Sequence, residues 1–482
     1  MLFNSLQFCL FFAVVTTLYY ALEWRWRWKM LLVASCVFYM AFIPAYIFIL
    51  FSTILIDYFM GMMIAKSTGR RRLIYLQVSI VSTCLVLFVF KYFNFFGMTV
   101  RELQNLLGAA QDFPIAHIIL PIGLSFHTFQ SLSYVIEVYR GRQEPERNFG
   151  IYSLYVMFYP QLVAGPIERP QNLLHQFYED HRFDLSNFAY GLTLIGWGFF
   201  QKMVIADRAA VYVNSVYNQW SIHSGLSLLV ATLLFAVQIY ADFAGYSCIA
   251  IGCARVMGIQ LMTNFNHPYF SKSIGEFWQR WHISLSTWFR DYVYIPLGGN
   301  RVSVSRHYVN LLLTFAISGL WHGANWTFVI WGTYNGVLLV IESYFHSLGW
   351  RYPRNLIGNI LRRTVVLVSI CFGWIFFRAD SLEAAVGIIR RIATDTSFSL
   401  SSVEFAVLPF SGDNTAFAVG LVTCLLIAIM FMLEIGAELN FRKVRGLLHY
   451  SLSYQFATTL AMFEFIMLFG VLRASAFIYF QF

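Results

Sequence analysis

Three titratable side chains stand in apolar surroundings where the sequence offers few other charges. His322 lies between Trp321 and Gly323 in a run without Asp, Glu, Lys or Arg, and His282 lies in an aromatic segment earlier in the chain. Asp242 interrupts a third apolar stretch. Because a neutral imidazole can remove a proton from a reacting hydroxyl, the two histidines predict general base chemistry. A buried carboxylate instead needs a partner or a water-filled cavity.

The chain that carries His322 has to enter an apolar phase and return. The uncharged run Tyr308–Ile341 starts and ends beside basic clusters, and Gly319 and Gly323 mark a turn within it. A helix from Tyr308 to His322 would advance about 21 Å, most of the way into a hydrocarbon core of about 30 Å. At this depth a catalytic histidine is favoured over one that only joins neighbouring helices.

His282 belongs to the segment Ser271–Asn300, which mixes bulky aromatic residues with charges. Its apolar residues recur at spacings of three and four, which predicts a single amphipathic helix at the membrane interface, ended by Pro296. The candidates to line a substrate path are Trp278, Arg280, Trp281, Trp321, Asn325 and Asp242. For Asp242, a structural ion pair with an arginine is an equal alternative.

Spacings typical of metal or nucleotide sites do not occur in the sequence. It contains no HxxxH, HExxH or CxxC pair, no Walker loop and no dinucleotide fingerprint. Its seven cysteines lie mostly in apolar runs, where they act as small hydrophobic residues. We therefore expect no metal site, no bound cofactor and no disulfide.

The elements that carry these residues are membrane helices. With 59% hydrophobic and 12% charged residues, the chain has too little polar surface for a water-soluble globule. The sequence predicts an all-α polytopic membrane protein with about eleven spans plus re-entrant or interfacial helices. Pro44 divides one apolar run into two passes, and Asn148–Ile167, broken by Pro160, is expected to be re-entrant. Uncharged runs near or above the length of a spanning helix include Leu2–Leu22, Met30–Ile56, Leu73–Phe90, Tyr308–Ile341 and Thr415–Leu433.

The net charge of +9 comes from short basic clusters between the apolar runs and not from one soluble face. Because short cytoplasmic loops collect Lys and Arg, these clusters predict the cytoplasmic side of a lipid bilayer rather than a nucleic-acid partner. The clusters are Arg25–Lys29, Lys66–Arg72, Arg140–Arg147, Lys272–Arg306, Arg351–Arg363 and Arg442–Arg445. We expect residues 1–482 to form a single membrane-embedded domain.

Several blocks of the sequence are similar to those of the membrane-bound O-acyltransferases (MBOAT), in particular the bacterial branch that acetylates exported polysaccharides. The blocks follow the family's order over nearly the whole chain. They are Leu120–Gly141, Pro160–Pro170, Tyr240–Gly252, Phe277–Arg301, Ser318–Gly336 and Phe372–Ser381. The resemblance implies a ring of tilted helices around a central funnel or tunnel.

The same resemblance assigns the essential histidine to His322 and the second one to His282. Whether His322 acts as a general base or as a transient acyl carrier stays open. It implies that acetyl-CoA is the cytoplasmic donor and that hydroxyls of an exported polysaccharide such as alginate receive the acetyl group, directly or through a periplasmic acetyltransferase partner. The chain would then lie in the bacterial inner membrane. Two alternatives stay open: D-alanyl transfer to teichoic acid, and a non-enzymatic polysaccharide transporter or scaffold.

Overall fold

The computed structural model describes residues 1–108, 120–163, 165–349, 355–395, 416–440, 451–471 and 477–478. Within these residues the chain is helical and contains no β-strand, which confirms the all-α class. Seven of the described helical runs are long and apolar enough to cross a membrane. The count of about eleven stays a prediction, since several expected spans form shorter helices. The basic cluster Arg442–Arg445 lies outside the described residues.

The chain divides into two compact units, the first comprising Met1–Ile195 and Ile249–Met262. Its helices follow one another from α1 to α10, and α10 continues into the residues of the second unit. These helices are α1 (Leu6–Ala21), α2 (Trp24–Met40), α3 (Tyr46–Lys66), α4 (Gly69–Leu87), α5 (Phe93–Leu106), α6 (Leu124–Tyr139), α7 (Phe149–Met157), α8 (Tyr159–Leu162), α9 (Pro170–Leu173) and α10 (Leu185–Phe199).

The second unit comprises Gly196–Cys248 and Thr263–Phe482. Its helices include all those predicted to carry the site, and α12 also supplies residues to the first unit. They are α11 (Asp207–Asn218), α12 (Gly225–Val256), α13 (Ile274–Arg280), α14 (Ile283–Phe289), α15 (Val304–His322), α16 (Trp326–Ser347), α17 (Leu356–Arg378), α18 (Leu382–Thr394), α19 (Ala416–Asn440) and α20 (Leu452–Phe469). The single domain over residues 1–482 stays a prediction.

Two helix breaks lie where the sequence predicts them. Helix α2 ends at Met40 and α3 begins at Tyr46, so Pro44 falls in the gap. There its missing backbone N–H removes no helical hydrogen bond. Helix α15 ends at His322, and after the extended residue Gly323 the chain turns into α16. His322 is therefore carried at the turn of a helical hairpin.

The segment that contains α7 and α8 begins after the carboxyl end of α6 and comes back to that same end. Asn148 caps α7 by accepting from the backbone N–H of Gly150 at 3.0 Å. Beyond α8, the amide of Gln171 donates to Glu137 at 2.9 Å and to the carbonyl of Arg142 at 3.5 Å. At about 1.5 Å per residue, a nine-residue helix such as α7 is too short to cross a bilayer. The re-entrant path of Asn148–Ile167 stays a prediction.

The single amphipathic helix predicted over Ser271–Asn300 is wrong. Helix α13 ends at Arg280, α14 begins at Ile283, and His282 between them has a left-handed backbone with φ 43° and ψ 55°. A π-helical turn then follows from Arg290 to Tyr294. The apolar spacing of three and four continues across the break, so hydrophobic periodicity could not reveal it.

Glycines bring the two helices of the hairpin close together. A side chain on Gly319 would collide with the carbonyl oxygen of Phe328 on α16, and one on Gly332 would collide with the carbonyl oxygen of Phe315 on α15. Small residues at such facing positions let helix backbones approach in a membrane, where van der Waals packing drives association. The approach holds the turn that carries His322.

Replacing Gly332 with alanine should therefore push α15 and α16 apart. Overpacking of this kind typically costs about 1–3 kcal/mol, so we expect Gly332→Ala to lower the melting temperature of the detergent-solubilised protein. The matched control is Gly436→Ala on α19, where no described atom outside the neighbouring helix backbone lies within 4 Å of the added methyl group. There the greater helix propensity of alanine should leave stability unchanged or raise it. Equal melting temperatures for the two variants would contradict the close packing.

Candidate active site

A cavity of about 440 Å³ lies within the second unit, among residues of α13, α14, α15 and α16. His282 and His322 both line it, although they stand far apart in the sequence. The predicted residues Trp278 and Trp281 also line it. The structure thus brings the two candidate histidines to one cavity of the size typical for a small-molecule site.

The cavity follows one face of α15. Five residues of α15 line it, at spacings of three, one, three and four residues: Leu311, Thr314, Phe315, Ser318 and His322. Positions with these spacings share one side of an α-helix, and from Leu311 to His322 the axis rises about 16 Å. The cavity therefore extends along α15 from Leu311, near the middle of the helix, to the hairpin turn at His322.

His322 is enclosed by aromatic rings. Its side chain is 4% exposed, and its ring meets those of Trp331 and Phe377 edge to face, with centroids 5.0 Å and 5.5 Å away. Edge-to-face contacts of this kind orient a ring while excluding water from its sides. The imidazole is thereby held at the closed end of the hairpin.

His282 lies on another wall of the same cavity and is 1% exposed. Its ring packs edge to face on Phe243, with centroids 4.5 Å apart. The ring of Trp321 lies near both imidazoles, with centroids 6.3 Å from His282 and 4.9 Å from His322. Trp321 itself, predicted to line the substrate path, is not among the described residues around the cavity. Because burial disfavours the charged form, the pKa of His282 is lowered to about 3, and the ring is neutral at neutral pH.

Trp278 and Trp281 give the cavity an aromatic wall. Trp278 packs edge to face on Phe315 of α15 and on Trp331 of α16, with centroids 5.2 Å and 5.8 Å away. Trp281 is fully buried and lies 5.1 Å from Trp374 of α17. These contacts fix the wall to the hairpin and to α17.

Arg280 was predicted to line the substrate path, but in the structure its side chain forms ion pairs instead. Its guanidinium contacts both carboxylate oxygens of Glu438 at 3.0 Å and one of Glu276 at 2.8 Å. Both bonds to Glu438 come from the same guanidinium nitrogen, and such charge-assisted hydrogen bonds are stronger than neutral ones. Arg280 thus links α13 to α19, and it is not among the described residues around the cavity.

Asn325 was also predicted to line the substrate path, but it is not among the described residues around the cavity. Its side chain makes structural contacts instead. Its side-chain oxygen accepts from the backbone N–H of Thr327 at 3.0 Å, which caps α16. Its amide nitrogen donates to the carbonyl of Asp380 at 3.1 Å. Asn325 therefore positions the start of α16, directly after the turn that carries His322.

Asp242 is held by a buried cation, which is a lysine and not the arginine considered from the sequence. The ammonium of Lys202 lies 2.8 Å from Asp242 and 2.9 Å from Asp207. The second oxygen of Asp242 accepts from the backbone N–H of Ile478 at 2.9 Å. These contacts satisfy a carboxylate within α12, and Asp242 is not among the described residues that line the cavity.

Several polar lining residues were missed from the sequence. The cavity is lined by Thr314 and Ser318 of α15 and by Ser286 and Thr287 of α14. The signal that could have found Thr314 and Ser318 is their spacing back from His322 along one helix face. Among the described residues, no group of three or more His, Cys, Asp or Glu is placed to hold a metal ion.

Comparison with known proteins gives a consistent result. The family model of the membrane-bound O-acyltransferases matches residues 146–353. A probable alginate O-acetylase of Pseudomonas aeruginosa is 40% identical over 413 residues, which cover 85% of this chain and 78% of that protein. A peptidoglycan O-acetyltransferase of Helicobacter pylori is 33% identical over 398 residues, or 77% of this chain and 74% of that protein.

A third relative matches a smaller part of the chain. The teichoic acid D-alanyltransferase of Bacillus subtilis is 29% identical over 282 residues, which cover 55% of this chain and 70% of that protein. The similarity to the alginate O-acetylase therefore extends over a longer part of the chain and at higher identity.

Proposed function

Because the chain belongs to the membrane-bound O-acyltransferase family, we propose that it transfers acetyl groups from acetyl-CoA to hydroxyls of an exported polysaccharide, with His322 as the catalytic imidazole. The observation that carries this proposal is a cavity lined by both His322 and His282. A buried imidazole on a cavity wall suits acyl transfer, since keeping bulk water from the ring limits hydrolysis of the thioester. The relatives named above are transferases, which favours an enzyme over a transporter or scaffold.

The reaction assigns different tasks to the two rings. His322 accepts the proton of the acceptor hydroxyl as its oxygen attacks the thioester carbonyl carbon. The C–S bond then breaks, and the imidazolium returns the proton to the departing thiolate, which leaves as the free thiol of coenzyme A. His282, neutral because it is buried, donates a hydrogen bond to the carbonyl oxygen while that oxygen carries negative charge.

The cavity supplies the route for the donor. It follows α15 toward His322 from the end at which the helix begins. That end lies beside Arg301 and Arg306, which belong to a basic cluster expected on the cytoplasmic side. Arg290 also lines the cavity and is largely exposed. We infer that acetyl-CoA enters from the cytoplasm of a bacterium, with the chain in its inner membrane, and that the cavity is part of a tunnel.

The acceptor is inferred from the names of the relatives. Two of them are named for the acetylation of alginate and peptidoglycan, both polymers that carry hydroxyl groups. An exopolysaccharide such as alginate, reached directly or through a periplasmic acetyltransferase partner, is the acceptor we propose. D-alanyl transfer to teichoic acid is the second candidate, favoured only by the shorter match to the Bacillus subtilis enzyme.

The proposal is tested with the purified chain in detergent or liposomes, supplied with acetyl-CoA labelled in the acetyl group and with a soluble alginate oligosaccharide. We expect label on the oligosaccharide, or on a co-purified periplasmic acetyltransferase where that partner completes the transfer. Transfer of D-alanine from its charged carrier protein, without use of acetyl-CoA, would replace the proposal with the second candidate. No acyl transfer from either donor would contradict it altogether.

Blocking the cavity should stop the donor from reaching His322. Ser318 lines the cavity one turn of α15 before His322, so Ser318→Phe should raise KM for acetyl-CoA or lower kcat, together at least about tenfold in kcat/KM. The matched control is Ile317→Phe, because the adjacent side chain is 46% exposed on the outer face of α15. Normal kcat/KM for Ser318→Phe, or an equal loss in both variants, would show that the donor takes another path.

A further inference from the structure

The turn at His282 leaves the start of α14 without its usual cap. The first N–H groups of a helix have no partner within the helix, and a side chain at the preceding residue commonly accepts from them. His282 occupies that residue, but its side chain makes no capping hydrogen bond. Since the imidazole lines the cavity instead, the N–H groups of α14 need an acceptor from elsewhere.

Asn264 supplies that acceptor from a distant segment. Its backbone carbonyl accepts from the N–H of Ile283 at 2.8 Å. Its side-chain oxygen accepts from the hydroxyl of Ser284 at 2.9 Å and from the N–H of Ser284 at 3.3 Å. Asn264 therefore caps α14 in place of the residue that precedes the helix.

Asn264 is itself fixed on its other side. Its amide nitrogen donates to the hydroxyl of Ser247 on α12 at 3.1 Å, and its side chain is buried. Helix α12 also carries Phe243, whose ring packs on His282. Asn264 thus connects the helix that supports the imidazole to the helix that follows it.

The backbone of His282 requires such support. A left-handed conformation places Cβ close to the following carbonyl oxygen and is unfavourable for a residue other than glycine. Strained residues of this kind persist when the surroundings hold them, and they occur often at functional sites. Releasing the start of α14 would let His282 relax toward a right-handed or extended backbone, and the ring would leave its place in the cavity wall.

We propose that Asn264 is a positioning residue for His282: by capping α14, it holds the left-handed turn that directs the imidazole into the cavity shared with His322. The inference rests on the proposed function, because its effect is read from acetyl transfer. Asn264 does not line the cavity among the described residues, so it acts on the reaction through His282 and not by touching substrate.

The first test compares kcat and KM for acetyl-CoA in the Asn264→Ala variant and the wild type. Because a small misplacement of a catalytic group costs rate at the chemical step, we expect kcat to fall about 10- to 100-fold with little change in KM. Asn264→Asp keeps an acceptor for Ser284 and should recover most of the lost kcat. The matched control is Asn266→Ala, two residues further along the same segment, which should keep the wild-type kcat.

A double-mutant cycle separates positioning from general stability. If Asn264 acts through His282, adding Asn264→Ala to His282→Ala should lower kcat no further than His282→Ala alone does. The same factor of loss in both backgrounds would overturn the proposal. Should Asn264→Ala fail to fold, Ser284→Ala replaces it, because this change removes only the hydroxyl bond; a wild-type kcat there would also overturn the proposal.

The outcomes distinguish this inference from the proposed function. A wild-type protein that transfers no acetyl group would remove the proposed function, and the inference with it. A wild-type protein that transfers acetyl normally, with Asn264→Ala at the same kcat, would remove only the role of Asn264.

Discussion

Replacing His322 with alanine should reduce kcat for acetyl transfer about 10²- to 10⁴-fold, the usual contribution of a general base. The ring lines the cavity and packs on Trp321, Trp331 and Phe377, and no backbone strain depends on it. We therefore expect the variant to be produced in normal yield as folded protein. The measurement is the initial rate of acetyl transfer from labelled acetyl-CoA, with size-exclusion chromatography as the check of folding.

A histidine on the surface provides the control for this substitution. His175 is largely exposed and lies 3.7 Å from Glu179, far along the chain from the cavity residues. His175→Ala should keep wild-type activity, since an exposed pair of this kind contributes little. If His322→Ala transferred acetyl at the wild-type rate, the ring would have no part in catalysis.

Replacing Lys202 with methionine should cause the largest loss of stability. Its ammonium is the shared partner of Asp207 and Asp242, and all three side chains are buried. Without the lysine, two carboxylates face each other in an apolar interior, and removing one partner of a buried ion pair typically costs about 3–5 kcal/mol. We expect Lys202→Met to give little folded protein or a strongly lowered melting temperature in detergent.

Two further variants define the cause of that loss. Lys66→Met removes an exposed lysine at the end of α3 and should leave the melting temperature close to that of the wild type. Adding Asp207→Asn and Asp242→Asn to Lys202→Met removes the uncompensated charges and should recover much of the stability. A triple variant no more stable than Lys202→Met would show that the ammonium acts by packing and not by charge.

Much of the fold follows from features that act locally in the sequence. Low charge and long apolar runs predict membrane helices, Pro44 predicts the gap between α2 and α3, and Gly323 predicts the turn after His322. The resemblance to the acyltransferase family added the pairing of His282 with His322. The structure brings those two residues to one cavity.

The features that the sequence did not reveal depend on distant contacts. The break at His282 is stabilised by Asn264, which lies in another segment, while the local apolar pattern continues without interruption. The cation beside Asp242 is Lys202, and the sequence alone could not tell which basic residue the fold would bring there. Arg280 likewise finds its carboxylate partner on α19.

Asn325 was misplaced for a different reason, since its structural role has a local signal. Asparagine immediately before an apolar helical run is a preferred helix cap, and Asn325 precedes α16 in that way. Its closeness to His322 in the sequence favoured a place in the substrate path. The cap accounts for its contacts, and His322 lies on the other side of the turn.

The most direct test of the account is the side from which acetyl-CoA reaches His322. Sealed liposomes with the protein in one orientation, established by labelling Arg306→Cys with a membrane-impermeant thiol reagent, receive labelled acetyl-CoA on one face at a time. The account predicts acetyl transfer only when the donor is on the face where residue 306 is labelled. Transfer only from the opposite face, or equally from both, would contradict a donor path along α15 to His322.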